Sequence, residues 1–428
     1  MSEMEALEMQ SIDVAVVGGG VAGLIAAHDT ARMGLGTVLF EATPDVGGRA
    51  QTRVQSGFHF NQGPHALYTR GRFRQTLEAL AIDVSGANPR LNEGIALWDD
   101  HQHPLPLDVE TMRRATPFDQ LDREELIATV GQLTREANDY RGQPLATVTD
   151  RFRPRVASWV QALIRLVTYV HAPDELDASA ALNQLRLASG GVLYIDDGWG
   201  ALTAALGKSA AAAGAAIRLE SRVARIARQG STWLVSGPGL EDCAASAVVL
   251  AVGPQEAATL VEGSRDLAAA HRHAKPVRLV CLDLGLSKLP RPEATFALGV
   301  DQPVYFSVHS DVARLAPSLG AMVHAARYLE PGEAPTPSHF DDLERLVDWL
   351  QPGWRPLEVH RQRLAGIVVA HDLPSFRARS PRRSVVADSP GLFPAGDWIG
   401  GNGMLSDASA ASAQDAARSV GDYLRCAA

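Results

Sequence analysis

Gly18, Gly20 and Gly23 form a G-x-G-x-x-G pattern, and Glu41 follows 18 residues after the last of them. Each position has a physical task. Gly18 permits a tight turn, Gly20 lets the backbone approach a pyrophosphate, and Gly23 allows a helix to pack closely on the strand before it. Val21 and Ala22 open that helix, whose N-terminal N–H groups carry partial positive charge and suit a phosphate. Glu41 offers acceptors to ribose hydroxyls. The spacing predicts a dinucleotide site, and on its own it does not choose between NAD and FAD.

Such a site needs a strand, a turn, a helix and a second strand in that order. Ile12–Val17 is a short apolar run suited to a buried parallel strand, and Gly18–Gly20 breaks it. Val21–Met33 carries helical periodicity, Gly34 and Gly36 stop it, and Thr37–Glu41 reads as the second strand. Further on, Ala201–Ala213 reads as a helix and Ala216–Leu219, Val223–Ile226, Trp233–Val235 and Ala247–Val252 as strands. Gly391–Ala395 reads as a last strand, Gly396–Gly403 as a glycine-rich turn and Leu405–Leu424 as an alanine-rich helix. Between these lie stretches of another character. Arg155–Val170 places Val156, Trp159, Val160, Leu163, Val167 and Val170 on one helical face, opposite Arg155, Gln161 and Arg165. Val277–Leu284 and Val304–Val308 alternate like half-buried antiparallel strands.

The expected architecture is α/β: a Rossmann-like dinucleotide domain made of three discontinuous segments (1–85, 190–270 and 376–428). An α+β substrate domain (86–189 and 271–375) is inserted into it.

Composition narrows the partners. With a net charge of −9, non-specific attraction to nucleic acid is excluded as a working role. Cys243, Cys281 and Cys426 form no CxxC pair, which argues against a metal site or a disulfide framework. The acidic start of the chain is not a signal peptide, and no run of about 18 apolar residues spans a membrane. The cytoplasm is the expected location. The arginines of the Arg155–Val170 helix would also suit a membrane surface, but burial of its apolar face against protein is the expectation. The sequence leaves the oligomeric state open.

After Glu41 come Gly47-Gly48-Arg49, then Gly57-Phe58-His59-Phe60-Asn61-Gln62-Gly63-Pro64-His65, and near the end Gly391-Leu392-Phe393-Pro394-Ala395-Gly396-Asp397. With these motifs the chain resembles the superfamily that joins amine oxidases, protoporphyrinogen oxidases and phytoene desaturases. The resemblance covers roughly residues 12–70 and 385–420 and implies FAD. It further implies that Gly48 and Arg49 lie near the FAD phosphates and that Gln62, Gly63, Pro64 and His65 lie beside the flavin ring. It places Val223 against adenine through its backbone, Gly396 and Asp397 at the ribityl or pyrophosphate part, and Met404 and Leu405 near the isoalloxazine. Trp199, Tyr305, His309, Arg361 and Arg363 are further candidates, for each of which a core role is an equal alternative.

The sequence departs from the amine oxidases of this superfamily in two places. Met404 stands where an aromatic residue usually forms half of a cage beside the flavin. Where a lysine usually reaches flavin N5 through water, the strand offers Arg278, with Lys275 upstream, and arginine does not exchange protons. The candidate catalytic residues are therefore His65, Arg278, Lys275 and Met404. Asp407 is the one acid at the start of the last helix that could act as a base. Three functions remain open: an FAD-dependent dehydrogenase or desaturase of a largely apolar small molecule, an amine oxidase, or a redox-neutral isomerase or non-catalytic flavoprotein. No second dinucleotide motif occurs, so oxygen or a quinone is the expected electron acceptor. No cysteine adjoins Met404, so the FAD is expected to be non-covalent. The purified protein is then yellow and releases free FAD on acid or heat denaturation; flavin that precipitates with the chain would contradict this.

Overall fold

A computed structural model describes residues 10–378, 382–400 and 403–427. Its first sheet has seven strands. Ala216–Arg218, Thr37–Phe40, Gln10–Val17 and Cys243–Leu250 run parallel in that order, and Leu392–Pro394 also pairs parallel with Cys243–Leu250. Thr232–Ser236 and Arg225–Gln229 add an antiparallel hairpin at the edge.

Parallel strands are covered on both faces and so read as continuous apolar runs. Along the first strand Val14 and Val16 point to one face. There they pack with Leu24 and Ile25 of the Val21–Arg32 helix, Leu206 of Trp199–Ala212 and Ala413 of Leu405–Ala427. Ala15 and Val17 point to the other face, with Leu250, Trp233 and Leu260. The expected βαβ opening and closing helix are thus present. The strand expected from Val223 begins instead at Arg225.

The second sheet is mostly antiparallel. Its order is Glu358–Ala370, Val277–Leu286, Ala321–Tyr328, Val304–Val308, Phe296–Gly299, Ile95–Trp98 and His101–Pro104. The Pro337–Leu350 helix covers one face through Leu343, Val347 and Leu350, and a helical layer containing Pro154–Thr168 covers the other. Arg361 and Arg363 serve the first of these contacts. Both donate to Glu344 on the Pro337–Leu350 helix, at 2.8 and 2.7 Å, which joins helix to sheet rather than lining a site.

The Pro154–Thr168 helix behaves as its periodicity predicts on one face and not on the other. Trp159 is fully buried and Leu163 nearly so, packed against protein. Arg165, expected on the polar face, is also buried. Its Nη2 donates to the carbonyls of Gly299 (2.6 Å) and Gln302 (3.1 Å), and its guanidinium lies 5.6 Å from the Tyr328 ring centroid. A buried cation needs such acceptors, and here strand-end carbonyls supply them. Tyr305 and His309 do meet, at 3.3 Å, although Val304–Val308 ends one residue short of His309. Both are core residues.

Trp159→Ala removes a fully buried ring from the centre of this layer. It should cost about 3–5 kcal/mol, read as a lowered urea midpoint. A change within 0.5 kcal/mol would contradict the packing described.

Candidate functional site

A cavity of about 630 Å³ runs from the glycine turn of the first sheet to the Val277–Leu286 and Glu358–Ala370 strands of the second. At one end Gly18 takes φ 103°, and its N–H donates to Phe40 O at 2.9 Å, which turns the chain off the strand. A Cβ on Gly23 would lie 1.8 Å from Gly18 O, so only glycine lets the helix start this close. The Val21–Arg32 helix begins at Gly20 with no side-chain cap and no acid in its first turn. A Cβ on Gly20 would meet nothing within 4 Å. Uncapped N–H groups facing open space fit a phosphate. Glu41 is fixed beside them. One carboxylate oxygen accepts from Gly19 N–H at 2.7 Å, and the other from Thr43 N–H at 2.9 Å and Thr43 Oγ1 at 2.7 Å. A carboxylate has about four acceptor sites, so one remains, on the oxygen that faces Gly19, for a ribose hydroxyl.

In the middle of the cavity Arg49 donates from Nη1 to Asp397 Oδ2 (2.8 Å) and Val369 O (2.7 Å). Asp397 also accepts from His371, from Nδ1 at 2.9 Å and from the backbone N–H at 3.1 Å. Burial alone would raise the Asp397 carboxyl, but the Arg49 charge and the His371 donors outweigh it and hold the group well below the usual carboxylate range. Gly396 N–H donates to Ser412 Oγ of the last helix at 2.9 Å, which pins this turn.

The other end is largely apolar. Tyr169, Trp199, Leu279, Ile367 and Leu405 line it together with Gln62, Pro64 and His65. The His65 ring lies 5.0 Å from that of Trp199, and the Tyr169 hydroxyl donates to Pro64 O at 3.3 Å. Leu405, at φ 56°, turns onto the wall as the last helix begins.

Of the residues singled out from sequence, Gly18, Gly20, Val21, Ala22, Glu41, Gly48, Arg49, Gln62, Pro64, His65, Gly396, Asp397 and Leu405 line this one cavity. Gly23 and Gly63 stand behind the wall at points of close approach. Others do not line it. Val223 is buried in the core beneath the first sheet. Met404 packs into the helical core, and its neighbour Leu405 takes the wall. Arg278 alternates with Leu279 along a strand, so Leu279 faces the cavity while Arg278 Nη1 donates to Gly366 O at 2.8 Å. Lys275 lies before that strand and pairs with Glu175. Asp407 is turned away as well. It accepts from Phe73 N–H at 2.8 Å, while Ser406 and Ser409 face the cavity.

Sequence reasoning missed Gly19, Gly47, Tyr169, Glu256, Ile367 and His371 on the wall. His371 is 26 residues from its partner Asp397 and belongs to no motif.

A sequence profile of the FAD dependent oxidoreductase family, DAO, matches residues 13–417. Phytoene desaturase of Cercospora nicotianae is 22% identical over 300 residues, which is 61% of this chain and 46% of that protein. The chain thus spans about half the length of this curated relative. Among solved structures, an oxidoreductase from Methanosarcina mazei superposes with a TM-score of 0.75 at 15% identity, covering 94% of this chain and 99% of the other. Cyclohexylamine oxidase from Brevibacterium oxydans does so with a TM-score of 0.70 at 13% identity, covering 97% and 99%. At these identities the structural likeness speaks for the fold.

Two outcomes follow. Each charge-assisted bond is worth about 1.5–3 kcal/mol, so Glu41→Ala should weaken FAD binding at least about tenfold, read by titrating the apoprotein. An unchanged dissociation constant removes Glu41 from the ribose. The second concerns Asp407, which burial pushes up to about 6. A carboxyl raised in the folded state gives stability that is full at low pH and is lost as pH rises from about 4 through about 6. Asp407→Asn keeps an acceptor for Phe73 N–H and does not ionise. Its melting temperature should therefore gain on the wild type between pH 4 and 7, by the equivalent of about 2 kcal/mol. A parallel pH course for the two proteins would contradict this.

Proposed function

The chain belongs to the family of FAD dependent oxidoreductases, and we propose that within it the chain dehydrogenates a largely apolar organic molecule in the manner of a desaturase. The observation that carries this reading is the character of the wall beyond His65: Tyr169, Trp199, Leu279, Ile367 and Leu405. The acids on the cavity wall, Glu41, Glu256 and Asp397, are not part of that group, and Asp397 is already neutralised by Arg49. A cationic amine brought there would lose its water without gaining a counter-charge, which is costly. Alkyl or polyene surface would instead gain roughly 25 cal/mol per Å² buried.

In this reading FAD is bound non-covalently and supplies two-electron acceptance from carbon. The N–H groups at the start of the Val21–Arg32 helix hold its pyrophosphate, Glu41 its ribose, and Arg49 with Asp397 the link between the two halves. Gln62, Pro64 and His65 stand at the flavin. Oxygen or a quinone takes the electrons away.

A second reading, amine oxidation, draws support from the Tyr169 and Trp199 rings on the wall, since ring faces can hold a neutral amine. The two readings separate in one assay. Primary, secondary and polyamines are tested for hydrogen peroxide, while lipophilic polyenes and cyclic ketones are mixed anaerobically and flavin absorbance is followed. Bleaching by an apolar substrate with no amine turnover is expected. Saturable amine turnover with a matching aldehyde reverses the order.

A further inference from the structure

We propose that His65 is the base of the reaction, taking up on Nε2 the proton that the substrate loses. The inference rests on the dehydrogenation reading above. His65 Nδ1 lies 3.0 Å from Gly63 O. A carbonyl oxygen only accepts, so Nδ1 carries the hydrogen and the neutral ring presents its lone pair at Nε2. The ring is on the cavity wall, at the apolar end. Gly63 itself takes φ 84°, and a Cβ there would come within 2.8 Å of Ile367 and 3.2 Å of Cys281, so the turn that carries this carbonyl requires glycine. The tautomer is therefore built into the turn.

The groups that act on the charge of His65 are His324, Arg49 and Asp283, and His309 feels it in turn. Asp283 is committed to His324 Nδ1 at 2.7 Å and to Gln362 Nε2 at 3.0 Å. Loss of water around the ring pulls His65 below its usual value, further than the Gly63 carbonyl raises it, so it is neutral at pH 7. The other groups nearby are spoken for. The Tyr169 hydroxyl donates to Pro64 O and holds its proton, burial having raised it. Asp397 is bonded to Arg49 and His371, and Asp407 faces Phe73.

A weak base is sufficient. One substrate C–H leaves as hydride, with both electrons, to the flavin. The adjacent C–H, made acidic by that loss, gives its proton to His65 Nε2, and its electron pair becomes the new C=C bond. The substrate is oxidised by two electrons, the flavin is reduced by two, and His65 becomes a cation. Arg49 and His324 disfavour that cation, which returns the proton to solvent between turnovers.

The test uses the holoenzyme. His65→Asn places an amide donor where Nδ1 stands and has no basic nitrogen, while His65→Gln serves as a second variant should the first fold poorly. At least one of them should still fold and carry FAD, read from its melting curve and from flavin in the purified protein. Nitrogen-15 NMR of histidine-labelled wild type, assigned by the peak lost in the variant, should show His65 protonated on Nδ1 at pH 7 and titrating below 6.5. Anaerobic flavin reduction by a polyene should slow about 100-fold or more, and the acid limb of its pH profile should disappear. A proton on Nε2 at pH 7, or reduction within about threefold of wild type, overturns the proposal while leaving the substrate reading intact. If only amines reduce the wild type, the reading and this step fall together.

Discussion

The carboxylate of Asp397 is held nearly out of water in the middle of the cavity, by Arg49 on one side and His371 on the other. An isolated charge there would be expelled or neutralised. The three members of this contact come from distant parts of the chain: Arg49 from the turn after the second strand, His371 from the end of the Glu358–Ala370 strand, and Asp397 from the turn before the last helix. Arg49 also bonds Val369 O, so the same guanidinium joins the first sheet's glycine turns to the second sheet. The bonds among Arg49, Val369, Asp397 and His371 thus tie the walls of the cavity together. Removing Arg49 leaves the buried Asp397 carboxylate with His371 as its one remaining side-chain partner.

That contact divides the cavity chemically. On one side lie the uncapped helix start and Glu41, suited to phosphate and hydroxyl. On the other lie rings and aliphatic chains with one histidine. A cofactor with an ionic half and a flat, largely apolar half matches such a gradient, and the family to which the chain belongs binds one. The gradient also orders what enters next, because an apolar molecule gains most at the end already stripped of charge.

The parts legible in the sequence were those fixed by local rules. Glycine spacing, a following apolar strand and a terminal acid are set by backbone geometry within 40 residues, so Gly18, Gly20 and Glu41 could be read directly. The residues that were misplaced depend on which way a strand faces. Leu279 and Arg278 differ by one position, and a loose alignment could not decide which of them looks inward. Met404 and Leu405 present the same difficulty, since the left-handed backbone at Leu405 rotates the helix start by a residue. Periodicity puts Arg165 on the polar face of its helix and carries no information about the carbonyls that arrive there from residues 299–302. His371 left no trace, as its partner is tertiary.

The pairing of Gln10–Val17 with Cys243–Leu250 sets a clock on the making of this protein. The first strand leaves the ribosome long before the strand it must lie beside. At about 5–20 residues per second the wait is roughly 10–50 s. During that time the strand has Thr37–Phe40 beside it and the Val21–Arg32 helix over one face, while its other edge and other face wait for later residues. Closing so large a loop is slow in any case, since distant contacts must be found before they are rewarded. The nascent segment is thus a natural client for chaperones, and the speed at which the intervening 200 or so residues are translated bears on how much active protein a cell obtains.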